Sequence, residues 1–260
     1  MHERHINRKK YFNEQVYTTT HFVIPYIEDI LEISPQITVA EIGCGEGGNL
    51  LPFLDRGCRV VGIDLAANKI KNAIGYYEGH PNNHLATFLS QDIYKVDPAD
   101  FPPFDLIIMK DTIEHIPDQT VFLENLKKFM APNGKVFFSF PPWRMPFGGH
   151  QQIIRSQFLS KLPYFHLLPN AIYTGLLKGA GEKQTTVNAL IEIKETGISI
   201  DRFENILKKL DYKIKKKTYF LVNPNYEIKF KLKSKPLPNL INIPYFRDFF
   251  TTAVYCLAEP

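Results

Sequence analysis

The chain has 260 residues, 44% of them hydrophobic, with 31 Lys and Arg against 27 Asp and Glu. That length supports one core, so one domain with insertions is expected rather than two full domains. A formal charge of +4 excludes a polyanion binder by composition alone. The cysteines, Cys44, Cys58 and Cys256, are odd in number and spaced for neither a disulfide framework nor a zinc knuckle. They are expected as reduced thiols in a cytoplasmic protein. No apolar run approaches the ~20 residues that span a bilayer. The basic Met1–Lys10 stretch is followed by polar Tyr11–Gln15 rather than by a signal-peptide core.

In chain order, residues 1–34 read as helical, with Phe22, Tyr26, Ile30 and Ile33 on one face and Pro35 closing the segment. Strand and helix then alternate: strand Thr38–Ile42, helix Gly47–Asp55, strand Arg59–Ile63, helix Ala66–Tyr77, strand Leu85–Leu89. Asp105–Met109 is a continuous apolar run suited to a strand buried on both faces. Helix Gln119–Met130, a Pro132-Asn133-Gly134 turn and strand Lys135–Phe140 follow. Such alternation predicts a parallel α/β sheet, because parallel neighbours need crossover helices. Residues 141–199 break the pattern and read as an insertion over the C-terminal edge of the sheet. Ser199–Leu210 is helical, with Ser199 as cap, and Tyr212–Val222 and Thr251–Leu257 read as strands around a second insertion, 223–250.

The central signal is a glycine-rich turn leaving the first strand. Gly43, Gly45 and Gly48 satisfy G-x-G-x-x-G, and Gly47 lies among them. Glycines there let the backbone turn sharply and let a ligand approach, with helix N–H groups aimed at it. The string alone also marks nicotinamide and flavin binders. Glu41, inside the strand end, stands where a dinucleotide fingerprint wants an apolar residue. Asp64 ends the second strand, where an acid accepts ribose hydroxyls. Asp92 lies just past the third strand.

With these residues in place, the chain resembles the class I S-adenosylmethionine-dependent methyltransferases, over roughly residues 36–142 plus the final helix and two strands. Glu41-Ile42-Gly43-Cys44-Gly45-Glu46-Gly47 is similar to that family's first motif. Gly62-Ile63-Asp64-Leu65 is similar to its ribose motif, Asp92-Ile93 to its adenine motif, and Phe104–Met109 and Pro132–Lys135 to the later core motifs. The resemblance implies a Rossmann-like, doubly wound, seven-stranded sheet whose last strands form an antiparallel hairpin. It implies S-adenosylmethionine as cofactor, held by Glu41, Gly43, Gly45, Gly47, Asp64, Leu65, Asp92, Ile93 and Lys110. Residues 1–35 are expected as a helical lid on a domain of residues 36–260. Tyr11, Phe12, Tyr17 and His21 are its candidate covering side chains, and plain helix packing is the alternative.

Two segments at the functional edge carry candidate chemistry. Asp111, Glu114 and His115 follow the fourth strand. They resemble the corresponding stretch of ubiquinone-biosynthesis O-methyltransferases, where an acid-x-x-Glu-His arrangement is associated with a divalent metal. Here Asp replaces the usual Glu. Carboxylate and imidazole could hold such an ion; the same side chains could equally buttress the loop. His115 is a candidate catalytic base. His150, emerging from Gly148-Gly149 after the fifth strand, is the second, with an ordinary loop histidine as the alternative. Pro141-Pro142 follows the fifth strand, whereas the Pro-Pro-Tyr motif of amino-group methyltransferases follows the fourth, which disfavours a DNA adenine methyltransferase.

Lys208–Lys235 holds ten lysines against Asp211 and Glu227. Lys229, Lys231 and Lys233 alternate with Phe230 and Leu232, as on a half-exposed strand. A solvated sheet edge, an anionic substrate or a peripheral membrane contact would each account for this. Apolar, proline-broken Pro236–Phe246 could wall a large pocket with residues 153–180. The favoured function is methyl transfer to a small-molecule or lipid-like acceptor at oxygen. A nucleic-acid methyltransferase would need a continuous basic face, and a non-catalytic adenosyl-ligand binder could share the fold.

Overall fold

A computed structural model describes residues 7–260; the start of the expected lid, residues 1–6, lies outside the described residues. Helix α1 (Arg8–Thr18) runs through a π-helical turn (Thr19–Val23) into α2 (Ile24–Glu28). The helix ends before Pro35, so Ile30 is exposed while Ile33 is buried from the following loop. Then come β1 (Thr38–Ile42), α3 (Leu51–Asp55), β2 (Arg59–Asp64), α4 (Ala67–Tyr77), β3 (Ala86–Ser90), β4 (Phe104–Lys110), α5 (Gln119–Leu126) and β5 (Met130–Phe140). Helix α3 starts four residues later than the sequence suggests, because turns at Gly47 and Leu50 precede it, with Pro52 in its first turn.

With β6 (Lys213–Val222), β7 (Lys235–Pro236) and β8 (Ala253–Glu259), the sheet has eight strands in the order β3-β2-β1-β4-β5-β8-β6-β7. Strands β3, β2, β1, β4 and β5 are parallel neighbours. Strand β8 (Ala253–Glu259) lies antiparallel between β5 and β6 (Lys213–Val222), pairing Phe138 with Cys256 and Thr218 with Tyr255. The extra strand, β7, is only Lys235–Pro236, laid along the outer edge of β6, so the expected β6–β8 pair is internal rather than terminal.

Alternating strand residues build two cores. One face carries Ile42, Ile63, Ile107, Phe138 and Cys256 against α5 and α8 (Ile200–Lys209). The other carries Val39, Val60, Ile108, Phe137 and Leu257 against α1–α2, α3 and α4. Such strands, buried on both faces, follow from helices on both sides.

The first insertion holds α6 (Asn170–Gly179) and α7 (Gln184–Thr196) around a small core of Phe165, Tyr173, Leu177, Val187 and Leu190. Helix α7 packs against the turn Ile113–His115, which places this insertion over the end of β4. In the second insertion, Asn225–Phe230 is a helix, α9, rather than the expected strand. Asn223 accepts from the Asn225 N–H, and Pro224 fixes the entry. Lys231 ends the helix in the left-handed region, so the alternation around Lys229–Lys233 is not that of a strand.

Candidate functional site

The strand order reverses between β1 and β4, and in open α/β sheets the ligand crevice lies outside the C-terminal strand ends at such a switch point. The glycine turn closes its floor. Gly43, Gly45 and Gly47 all have positive φ (77°, 56° and 77°), which ordinary residues adopt only under strain. Space matters as much. A Cβ on Gly43 would lie 2.7 Å from Thr112 Oγ1, and one on Gly47 would lie 2.8 Å from the Phe88 ring. The turn after β4 is therefore packed directly on the turn after β1.

Asp64 finishes β2, accepting from Gly45 N at 2.9 Å through one oxygen and from Ala66 N at 2.8 Å through the other. Each oxygen keeps a lone pair for a further donor. Leu65 is 75% exposed beside it. Asp92 caps a short turn by accepting from Tyr94 N, and the next residue, Ile93, is buried.

Glu41 is 1% exposed at the end of β1. Asn49 Nδ2 donates to its Oε1 at 2.6 Å, while Oε2 has no partner among the described residues. Burial pushes its carboxyl up to about 8, against the opposing pull of Asn49 and Lys110. Thr19 Oγ1 lies 2.9 Å from Asn49 Oδ1, so the π-helical turn reaches the same amide. Arg8 Nε donates to buried Glu46 at 2.6 Å, and Phe12 and Gln15 press on Gly48. Of the candidate covering side chains, Phe12 is buried against Tyr76 and Tyr77, whereas Tyr17 and His21 stack on each other. His21 points to solvent.

Lys110, buried at the end of β4, donates to Asp111 at 3.2 Å. Burial opposes its charge, but the carboxylates and phenols around it, Asp111 first, hold it protonated. Asp111 has φ 54°, and this left-handed turn swings its carboxylate back toward Lys110. It thereby leaves the donor set expected from Asp111, Glu114 and His115. The structure instead gathers Glu114, His115 and His150, with donor atoms within 4.8 Å of one another. The His115 and His150 ring centroids are 4.9 Å apart and near-perpendicular. Neither Glu114 oxygen has a partner among the described residues, and burial raises its carboxyl well above the usual range. Burial also lowers both imidazoles, His150 to about 4. Both are therefore neutral near pH 7 and able to accept a proton.

Sequence reading missed Asn49, Glu46 and Arg8, whose roles arise from contacts of α1 and the π-helical turn with the loop. It flagged His115 and His150 separately; their meeting depends on Gly149, where a Cβ would strike the His166 side chain at 2.2 Å. Buried His166 donates from Nε2 to Trp143 O at 2.7 Å, and its Nδ1 lies 3.2 Å from Gln151 Oε1, fixing the loop that carries His150.

The residues suit an adenosyl sulfonium: a side-chain-free cradle, free lone pairs on Asp64, and an unpartnered oxygen on Glu41 at the crevice. An open parallel sheet with antiparallel final strands and a glycine turn at its switch point defines the class I Rossmann-like methyltransferase architecture. A family model described as a methyltransferase domain matches residues 12–164, more than half of the chain. The chain belongs to this methyltransferase family, whose cofactor is S-adenosylmethionine.

Curated relatives include phosphoethanolamine N-methyltransferase 3 of Arabidopsis thaliana, 31% identical over 125 residues, covering 47% of this chain and 24% of that protein. Ubiquinone biosynthesis O-methyltransferase of Idiomarina loihiensis is 27% identical over 183 residues, covering 60% of this chain and 74% of that protein. The chain spans about a quarter to a half of the length of the first curated relatives it matches. Among solved structures, geranyl diphosphate methyltransferase in complex with GPP and sinefungin aligns with a TM-score of 0.59 at 13% identity, covering 94% of this chain and 78% of that one. Plantazolicin methyltransferase in complex with a desmethyl analogue and SAH gives 0.57 at 14%, covering 97% and 86%. At these identities the structural likeness speaks for the fold. In addition, no helix among the described residues is long and apolar enough to cross a membrane.

Proposed function

We propose that the protein methylates a small, lipid-like acceptor at oxygen. The observation that carries this reading is the meeting of the His115 and His150 rings, 4.9 Å apart, next to the turn that packs on Gly43. S-adenosylmethionine, when bound, supplies an electrophilic methyl group. Gly43, Gly45 and Gly47 let its chain approach the backbone, Asp64 and Leu65 take its ribose, Asp92 and Ile93 its adenine, and Glu41 and Lys110 fix the floor. Helix α1, stitched to the loop by Arg8 and Phe12, and the π-helical turn after it, stitched by Thr19, act as a cover that excludes water.

His115, the more exposed imidazole, takes the proton of the acceptor hydroxyl and passes it to solvent. His150 orients the acceptor. Of the relatives' printed activities, O-methylation belongs to the one matched over the larger share of this chain. Glu114, His115 and His150 also form a donor set suited to a divalent ion, which is a second reading of the same cluster.

Screening quinols, catechols and lipid alcohols for transfer of a labelled methyl group tests the proposal. With an accepted substrate, His115→Ala lowers kcat about 100-fold or more. The wild-type rate should fall on acidification, as the base becomes protonated, and stay level above neutral pH. Full activity of both His115→Ala and His150→Ala would remove the pair from the chemistry. Activity lost to a chelator and restored by a divalent ion would favour the second reading.

A further inference from the structure

The second insertion presents a surface that the proposed chemistry does not use. From Ile228 to Phe246 the chain contains no acidic residue. Phe230, Leu232, Leu240, Ile243, Tyr245 and Phe246 are between 50% and 87% exposed, with Leu240 the most open. Lys231, Lys233 and Lys235 are exposed among them and, among the described residues, join no ion pair. Single exposed apolar residues are ordinary, but six in one short stretch of chain need a cause.

Poor anchoring is not that cause. Leu237 turns into the core, and its N–H donates to Tyr219 O at 2.7 Å. The Tyr245 N–H donates to Asp201 at 2.8 Å. Arg247 is tied to Asp201, Glu204 and Tyr219, and fully buried Asp248 accepts from Ile200 N and Arg144. The strap is thus fastened at three places and still leaves these six apolar side chains exposed.

We propose that this strap docks the protein on the surface of an anionic lipid bilayer. Apolar side chains beside unpaired lysines match the two layers of such a surface: the acyl boundary below and phosphate headgroups above. A nucleic acid would use the lysines but would leave Leu240 and Ile243 without a role. The strap also adjoins the acceptor side. Tyr164 packs on Phe249 with ring centroids 6.0 Å apart and donates to Phe249 O, while its own N–H donates to Pro146 O in the loop leading to His150. Docking would therefore set the crevice beside the bilayer, which accords with the lipid-like acceptor proposed above but does not depend on it.

The test is co-sedimentation of the full chain with vesicles of phosphatidylcholine alone or mixed with phosphatidylglycerol, at low and high salt. The protein should bind the mixed vesicles, and salt should weaken that binding. Lys231→Gln, Lys233→Gln and Lys235→Gln together should reduce it about 100-fold, at roughly fivefold per lysine. Leu240→Ser, Ile243→Ser and Phe246→Ser together should reduce it by more than about tenfold even at low salt. All six side chains are exposed, so both variants should keep the wild-type melting temperature, which the same samples report. Failure to bind mixed vesicles at low salt would overturn the proposal. So would binding that ignores the apolar substitutions, and retention on RNA through the lysines alone would point to a nucleic acid instead. No cofactor or acceptor is needed, so the outcome stands apart from that of the methyl-transfer assay.

Discussion

Glu41 shows how one buried side chain sets conditions for the whole site. Its carboxyl ordinarily titrates near 4.5 and is pushed up to about 8 by burial. Below the lower value both folded and unfolded chains hold the proton, and the fold keeps its full stability. Between the two values the unfolded chain releases the proton while the fold retains it, so stability falls by at most about 1.4 kcal/mol per pH unit. Glu41→Gln keeps an acceptor for Asn49 and removes this slope. Urea titrations without cofactor should find the variant more stable than wild type at pH 8 and similar to it at pH 4. A parallel fall of both proteins would show that Glu41 is already charged in the fold. The placement of Glu41, Asp64 and Asp92 at or just past strand ends was legible in the sequence because their spacing from glycines and apolar runs carries the signal. Asn49 was not, because an amide inside a turn means nothing until the π-helical turn and the Glu41 carboxylate arrive beside it.

At the level of elements, the five parallel strands were readable because each is a short apolar run between turn signals. The insertions were not, since their structure comes from distant partners. The stretch around Lys229–Lys233 alternates like a strand for too few residues to exclude a helix end, and Asn223-Pro224 decides the matter locally. The second insertion depends on Asp248, which is 0% exposed. Asp248→Ala would leave Arg144 and the Ile200 N–H facing a void. The expected cost is about 3 kcal/mol in urea unfolding, together with faster proteolytic cleavage between residues 231 and 246. Unchanged cleavage would mean that the Tyr245–Asp201 and Arg247 contacts hold the strap without it.

For the whole molecule, ligand linkage gives the most direct check on the family assignment. S-adenosylmethionine at about 100 times its Kd should add about 2.7 kcal/mol. For a chain of this size that is a rise of roughly 5–10 °C in Tm. NAD should add nothing. In Asp64→Ala the rise at the same ligand concentration should largely vanish, while the unliganded Tm changes less. An NAD-dependent shift, or an undiminished response of the variant, would displace the ribose assignment.

Strand order also constrains how the protein is made. The edge of β5 from Val136 to Phe140 is closed by Val254–Ala258, so β8 must be in place before β6 can join the sheet. A ribosome adding ~5–20 residues per second needs about 6–23 s to travel from Phe140 to Val254. During that interval the nascent chain displays an apolar strand with an open edge, the form most prone to pairing with another chain. The two insertions lengthen this interval.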